Sequence, residues 1–177
     1  MTTSAERERL LRLAREAIAA HVGGTAAPAS DRSGALARKG GAFVTLTIRG
    51  ALRGCIGRVA ADEPLGDVVP SCAVAACGDS RFDPVTAAEL ANLELEISLL
   101  GPLEAVAGAA DVEVGRHGLV VEQGWHRGLL LPQVATEHGW DRETFLAETC
   151  RKAGLPCDAW KQGARLWRFE AEVFTEP

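Results

Sequence analysis

The chain has 177 residues, a length typical of one domain with a substantial core. Its hydrophobic content of 47% and charged content of 24% are ordinary for a soluble globular protein, and its net charge of −5 argues against broad electrostatic binding to nucleic acid or to an anionic membrane. No apolar run approaches the roughly 20 residues needed to span a bilayer, and the charged N-terminus is unlike a signal peptide. We therefore expect a cytoplasmic protein, without a membrane partner, that forms one domain over residues 1–177 with its core at 5–175.

The first half of the chain predicts two helices around a β-hairpin. Residues 5–22 have the apolar stripe of an amphipathic helix, and residues 24–41 are rich in Gly, Ala, Ser and Pro, which predicts a loop. Residues 43–48 alternate as a strand, and residues 52–57 return as a second strand after a turn. A second helix is expected to begin at Pro64, because proline is well tolerated at the first helical position.

The second half predicts three strand regions separated by helices. A short helix is expected from Pro84 to Leu90, followed by a half-buried strand at 93–99. A hairpin at 119–131, a helix at 142–153 and an alternating strand at 165–174 follow. Since the strands connect mainly through hairpins, the sequence predicts an α+β fold with a largely antiparallel sheet and flanking helices.

Several common kinds of site have no motif in this chain. The patterns GxxxxGKS/T, GxSxG and HExxH are absent, and no GxGxxG follows a predicted strand. The five cysteines show no CxxC pair and no Cys/His spacing typical of zinc. We therefore predict no metal and no cofactor.

The hexapeptide LRGCIG at 52–57 is the stretch that most clearly calls for an explanation. Gly54 and Gly57 weaken a strand, so they indicate either a close backbone approach or a bend that exposes the sulfur of Cys55. A nearby cation lowers the pKa of a thiol, which would activate such a cysteine. The equally weighted alternative is a structural cysteine, since free cysteine packs as a small hydrophobe. Three arginines lie within six positions of the cysteine: Arg49, Arg53 and Arg58.

Strand geometry adds a spatial prediction for this hexapeptide. Side chains two apart on a strand point to the same face, so Arg53 and Cys55 are expected to emerge together. Leu52 and Ile56 are then expected to face the core.

Two further segments carry candidate site residues. Arg81 and Asp83 could form an anion clamp with an orienting carboxylate, because arginine presents a bidentate fork. Alternatively, Asp83 caps a helix that begins at Pro84 and forms a local salt bridge. His117 lies at a loop-to-strand junction, where it could transfer protons; the alternative is a surface histidine in a turn.

A set of segments in fixed order along the chain resembles a known family. These are LRGCIG at 52–57, Pro64-Leu65, DSRFDP at 79–84, ELEISLL at 94–100, GRHGL at 115–119, RGLLLPQVATEHGWDRETFL at 127–146, CRKAGLP at 150–156 and the EAEVF end. Together they resemble the AMMECR domain family, most closely its bacterial branch, the protein A component of the AmmeMemoRadiSam system. The resemblance covers about residues 5–175.

The resemblance implies an α+β protein of two lobes with the hexapeptide near the cleft between them. It also implies two partners, a Memo-type protein related to extradiol dioxygenases and a radical S-adenosylmethionine enzyme. It implies no established reaction, so the hypotheses of function are based on the candidate residues.

Two hypotheses of function follow, and a third fits poorly. In the first, the chain is an enzyme or enzyme component: Cys55 is the nucleophile, Arg53 and Arg81 hold an anionic substrate group, and His117 transfers protons. The flanking Gly54, Gly57 and Asp83 would complete the substrate site. In the second, the chain is a non-catalytic adaptor that binds a small-molecule, peptide or nucleotide-type ligand for the two partners. A sequence-independent RNA binder fits poorly with the acidic charge balance.

Overall fold

A computed structural model of the protein describes residues 1–59 and 62–176. The chain divides into two compact units, one formed by Met1–Leu100 with the chain end from Glu172, the other by Gly101–Ala171. Helices accompany antiparallel strands in both units, so the predicted α+β class is confirmed.

Two helices cover one face of the sheet in the first unit. Helix α1 spans Ser4–Gly23. It begins with a capping box, in which the Thr3 hydroxyl accepts from the Glu6 N–H and the Glu6 carboxylate accepts from the Thr3 N–H. Helix α2 spans Leu65–Ala76 and follows Pro64. Together the two helices bury an apolar stripe that includes Leu10, Leu13, Ala14, Ile18, Val68, Val69 and Ala73.

Three antiparallel strands form the sheet of this unit in the order β2-β1-β3. They are β1 (Ala42–Ile48), β2 (Ala51–Arg58) and β3 (Leu93–Leu100). Alternate residues of the central strand are fully buried, which matches the two-residue period of a strand with one face on the core. The inward row consists of Ala42, Val44, Leu46, Leu95, Ile97 and Leu99.

The second unit contributes further antiparallel strands and has its own core. Strand β5 (His117–Gln123) lies between β6 (His126–Leu130) and β7 (Arg165–Thr175), and β4 (Glu104–Val106) pairs with β7. Helix α3 is Pro132–Glu137 and helix α4 is Arg142–Lys152. Helix α4 packs against β5 and β6, and the core residues there include Phe145, Leu146, Cys150, Leu119 and Val121.

The predicted loop at 24–41 is partly ordered by side chains. A single 3-10 turn at Gly34–Ala37 buries Leu36, and the Ala35 N–H donates to the Glu6 carboxylate at 2.7 Å. Glu6 therefore fixes the loop as well as the start of α1.

The helix predicted from Pro84 to Leu90 is wrong. The structure has a 3-10 helix at Ala87–Asn92, which begins at a capping box formed by Thr86 and Glu89. The predicted capping role of Asp83 is therefore also wrong, because a different residue accepts the free N–H groups at the start of this helix.

Within residues 1–59 and 62–176, no helix combines the length and apolar composition that crossing a bilayer requires.

The glycines of the hexapeptide are explained by close approach of the protein's own atoms. A Cβ added to Gly54 would lie 2.2 Å from the carbonyl oxygen of Ala76, the last residue of α2. A Cβ added to Gly57 would lie 2.3 Å from the ring of Phe43. Close backbone approach is thus confirmed at Gly54, where it brings β2 against the end of α2.

We expect Gly54→Ala to lower the free energy of unfolding by about 1–3 kcal/mol, because a backbone carbonyl that ends a helix cannot move aside as a flexible side chain can. The matched control is Gly78→Ala, where an added Cβ would meet nothing closer than the Ala75 oxygen at 3.8 Å. Urea unfolding of both variants measures the difference. Equal stability of the two would show that the contact between β2 and α2 does not constrain this position.

Candidate functional site

Strand β2 is irregular at Arg53. Leu46 of β1 pairs with Gly54, but the next residue, Thr47, pairs with Leu52, so Arg53 has no partner on β1. This is a β-bulge, which adds a residue to one strand and redirects the side chains around it.

The bulge changes which residues of β2 face the core. Ile56 packs against the buried cluster, as predicted. Leu52 lies opposite Thr47 and is 41% exposed, so the prediction that it faces the core is wrong. Simple alternation fails here because the extra residue shifts the pattern by one position. The prediction that Arg53 and Cys55 emerge on the same face used that same alternation, so the bulge removes its basis.

Cys55 is half-buried, between the two alternatives that its sequence context allowed. It lies opposite Thr45 of β1, whose hydroxyl is 3.3 Å from the cysteine Sγ. The Cys55 backbone N–H donates to the Oδ2 atom of Asp79 at 2.9 Å. Among the described residues, no imidazole or carboxylate is hydrogen-bonded to the sulfur.

Asp79 organises this region and was not singled out from the sequence. Its side chain is 4% exposed and accepts hydrogen bonds from the Cys55 N–H, the Arg81 N–H and two nitrogens of the Arg81 guanidinium, with distances of 2.7–3.1 Å. These hydrogen bonds, those from Arg81 first, hold the pKa of Asp79 well below its usual range. The sequence feature that could have identified Asp79 is the Asp-x-Arg spacing in a turn, because an aspartate often accepts the backbone N–H two residues later.

Arg53 is held in a similar way by a different carboxylate. Its Nε lies 2.7 Å from Glu89 Oε1 and its Nη2 lies 3.2 Å from Glu89 Oε2, while Nη2 also approaches the Pro84 oxygen at 3.3 Å. The guanidinium, followed by the hydrogen bonds from Thr86, lowers the pKa of Glu89 to about 2. The residue that caps the 3-10 helix therefore also anchors Arg53.

An open depression of about 560 Å³ lies beside these ion pairs. The structure brings three predicted site residues together there, Arg53, Arg81 and Asp83, with Ser80 and Phe82 completing the lining. The Arg81 guanidinium lies 5.6 Å from the centre of the Phe82 ring, a distance typical of a cation–π contact. Cys55 is not among the described residues that line the depression; Asp79 connects it to Arg81.

His117 belongs to the second unit, where it begins β5. It is 7% exposed, so the surface-histidine alternative is wrong. The imidazole Nδ1 accepts the Glu113 backbone N–H at 3.0 Å, and the His117 backbone N–H donates to the Glu113 carbonyl oxygen at 2.9 Å. The neutral imidazole therefore carries its proton on Nε2. Burial, followed by the charges of Arg168 and Arg116, lowers the pKa of His117.

This environment predicts a pH dependence of stability. Because the pKa of His117 is below its ordinary value of 6.5 in the folded state, the unfolded chain binds more protons below that pH. The contribution of His117 is complete above about pH 6.5 and is lost as the pH falls through the lowered value. We expect the melting temperature of His117→Gln to fall less than that of the unaltered protein between about pH 7 and pH 5.

The control for this measurement is His21→Gln, since His21 is exposed in the last turn of α1. Its pH profile should follow that of the unaltered protein. An unchanged profile for His117→Gln would contradict the lowered pKa.

Comparison with known proteins extends over nearly the whole chain. A protein of Methanothermobacter thermautotrophicus is 46% identical over 177 aligned residues, which cover 94% of this chain and 92% of that protein. A protein of Thermococcus onnurineus is 44% identical over 183 aligned residues, covering 96% of this chain and 89% of its own length. The crystal structure of the uncharacterized protein PH0010 from Pyrococcus horikoshii superposes with a TM-score of 0.89 at 42% identity, covering 96% of this chain and 90% of that one.

The family model AMMECR1 matches residues 11–174. That match includes both units and every candidate site residue described above. The chain therefore belongs to the AMMECR1 family.

Proposed function

We propose that this chain is a ligand-binding component of an enzyme system and that it holds a small ligand in the depression between Arg53 and Asp83. The single observation that supports this is the arrangement of the two guanidiniums. Each is fixed along its Nε/Nη2 edge by a carboxylate, Glu89 for Arg53 and Asp79 for Arg81, and both line the same depression.

Fixed guanidiniums favour binding because their ordering is completed before the ligand arrives. A free arginine side chain loses rotamer entropy when it binds, whereas one already paired loses less. Among the described residues, the Nη1 atoms of Arg53 and Arg81 have no hydrogen-bond partner, so each keeps donors for a ligand. At Arg81, Nη1 and the second N–H of Nη2 form a fork whose geometry a carboxylate matches.

The place of the chain in the cell is proposed from the resemblance of its motifs. Residues 52–57 and the later segments resemble the bacterial protein A component of the AmmeMemoRadiSam system, so we propose a cytoplasmic protein that works with a Memo-like protein and a radical S-adenosylmethionine enzyme. In this proposal the chain supplies the ligand and its partners supply the chemistry.

Acetate, the simplest carboxylate, tests the guanidinium site. We expect Arg81→Lys to weaken acetate binding by about fivefold, since lysine keeps the charge but loses the fork, a difference of about 1 kcal/mol. The matched control is Arg9→Lys, because Arg9 has the same 2.7 Å contact with an aspartate, Asp31, in the same unit. NMR titration gives the dissociation constants. Equal affinities in all three proteins would exclude Arg81 as a ligand-binding residue.

A second candidate function, thiol catalysis, is favoured by one observation. The Asp79 carboxylate binds both the Cys55 backbone N–H and the Arg81 guanidinium, so one side chain links this half-buried cysteine to a cation. A cation stabilises a thiolate, the nucleophilic form of cysteine. In this alternative Cys55 attacks the substrate, and Arg53 and Arg81 hold it.

Thiol alkylation and binding distinguish the two candidates. We expect Cys55 to react with iodoacetamide more slowly than the exposed Cys157, because the Cys55 sulfur is half-buried and hydrogen-bonded to Thr45. We also expect Cys55→Ser to bind acetate with unchanged affinity. Mass spectrometry of tryptic peptides measures both alkylation rates at neutral pH. A Cys55 rate about tenfold above that of Cys157 would favour the catalytic alternative.

A further inference from the structure

The charged groups around the depression have a net negative charge, unlike those of an ordinary anion-binding site. Two guanidiniums, those of Arg53 and Arg81, face three carboxylates: Asp79 and Glu89, which bind them, and Asp83 on the wall. Asp79 and Glu89 are held ionised by their hydrogen bonds. The group therefore carries one negative charge in excess, and a multiply charged anion such as a phosphate meets repulsion there.

Asp83 is the carboxylate that the fold itself does not use. The side chain is exposed and lines the depression, and within residues 1–59 and 62–176 it has no hydrogen-bond or ion-pair partner. Arg53 lines the same depression, so the two groups face one space. A cationic group of a ligand would be attracted to Asp83 while an anionic group bound the guanidinium donors.

From this juxtaposition we infer that the ligand is a small zwitterion, with one carboxylate for Arg53 and Arg81 and one ammonium group for Asp83. Amino acids and short peptides have this chemistry. The inference rests on the proposed function, because it assigns a ligand class to the same depression.

The depression is large enough to admit such a ligand. Pockets for small molecules commonly enclose about 300–1,000 Å³, and this one has about 560 Å³. Phe82 adds an apolar surface to a lining that is otherwise polar, so a short aliphatic chain between the two charged groups has a side to pack against.

A series of zwitterions with increasing separation of charges tests the inference. The probes are glycine, β-alanine, γ-aminobutyrate and glycylglycine, compared with acetate and glycinamide, which each carry one of the two charges. We expect at least one zwitterion to bind about tenfold more tightly than both single-charge probes at the same ionic strength. The reason is that two charge-assisted contacts stabilise the complex more than one does. NMR titration of the unaltered protein measures all six affinities.

Asp83→Asn identifies the group that recognises the ammonium. We expect this variant to bind the preferred zwitterion no better than acetate, with acetate binding unchanged or stronger. The matched control is Asp62→Asn, an exposed aspartate of the same unit that does not line the depression. It should keep the preference for the zwitterion.

The contrary outcomes separate the two proposals. If acetate binds as well as every zwitterion, or if Asp83→Asn keeps the preference, the zwitterion inference is wrong and the guanidinium site remains. If inorganic phosphate, titrated as a seventh probe, binds best, the charge argument is wrong. If none of these probes binds, the proposed function fails together with the inference.

Discussion

The buried carboxylate of Asp79 is the interaction on which the candidate site depends. It accepts the backbone N–H of Cys55 in β2 and three N–H groups of Arg81 in the turn after α2. Loss of one of these donors would leave a buried carboxylate short of a partner, which costs more than the net worth of a hydrogen bond. The strand and the turn are therefore held in one arrangement, and Arg81 is held with them.

Gly54 allows that arrangement to form. Its missing side chain leaves space for the Ala76 carbonyl at the end of α2, so β2 lies close enough for the turn at 79–83 to reach it. The bulge at Arg53 then frees one residue of β2 from pairing with β1, and its side chain instead meets Glu89. Close packing on one side of the strand and a local irregularity next to it together bring Arg53 and Arg81 to the same depression.

Local sequence patterns predicted the fold class but only part of this site. The α+β class followed from alternation and turn residues, because strands such as 93–99 carry their period in their own sequence. The bulge at Arg53 could not be predicted in this way, since register is set by the partner strand. The 3-10 helix was placed too early because Pro84 gave a start signal, whereas Thr86 and Glu89 form the actual cap. The burial of His117 depends on its place in β5, where it pairs with Glu170 of β7, and only the tertiary fold decides that pairing.

The double use of Glu89 has a thermodynamic consequence. One of its oxygens accepts the Thr86 N–H, the Thr86 hydroxyl and the Arg53 Nη2, while the other accepts the Arg53 Nε. Any occupant that binds the Arg53 guanidinium also changes how strongly this carboxylate holds the first turn of residues 87–92. Occupancy of the depression and order of that short helix are thus linked reciprocally, so amide exchange in a segment that need not touch the ligand would report its arrival.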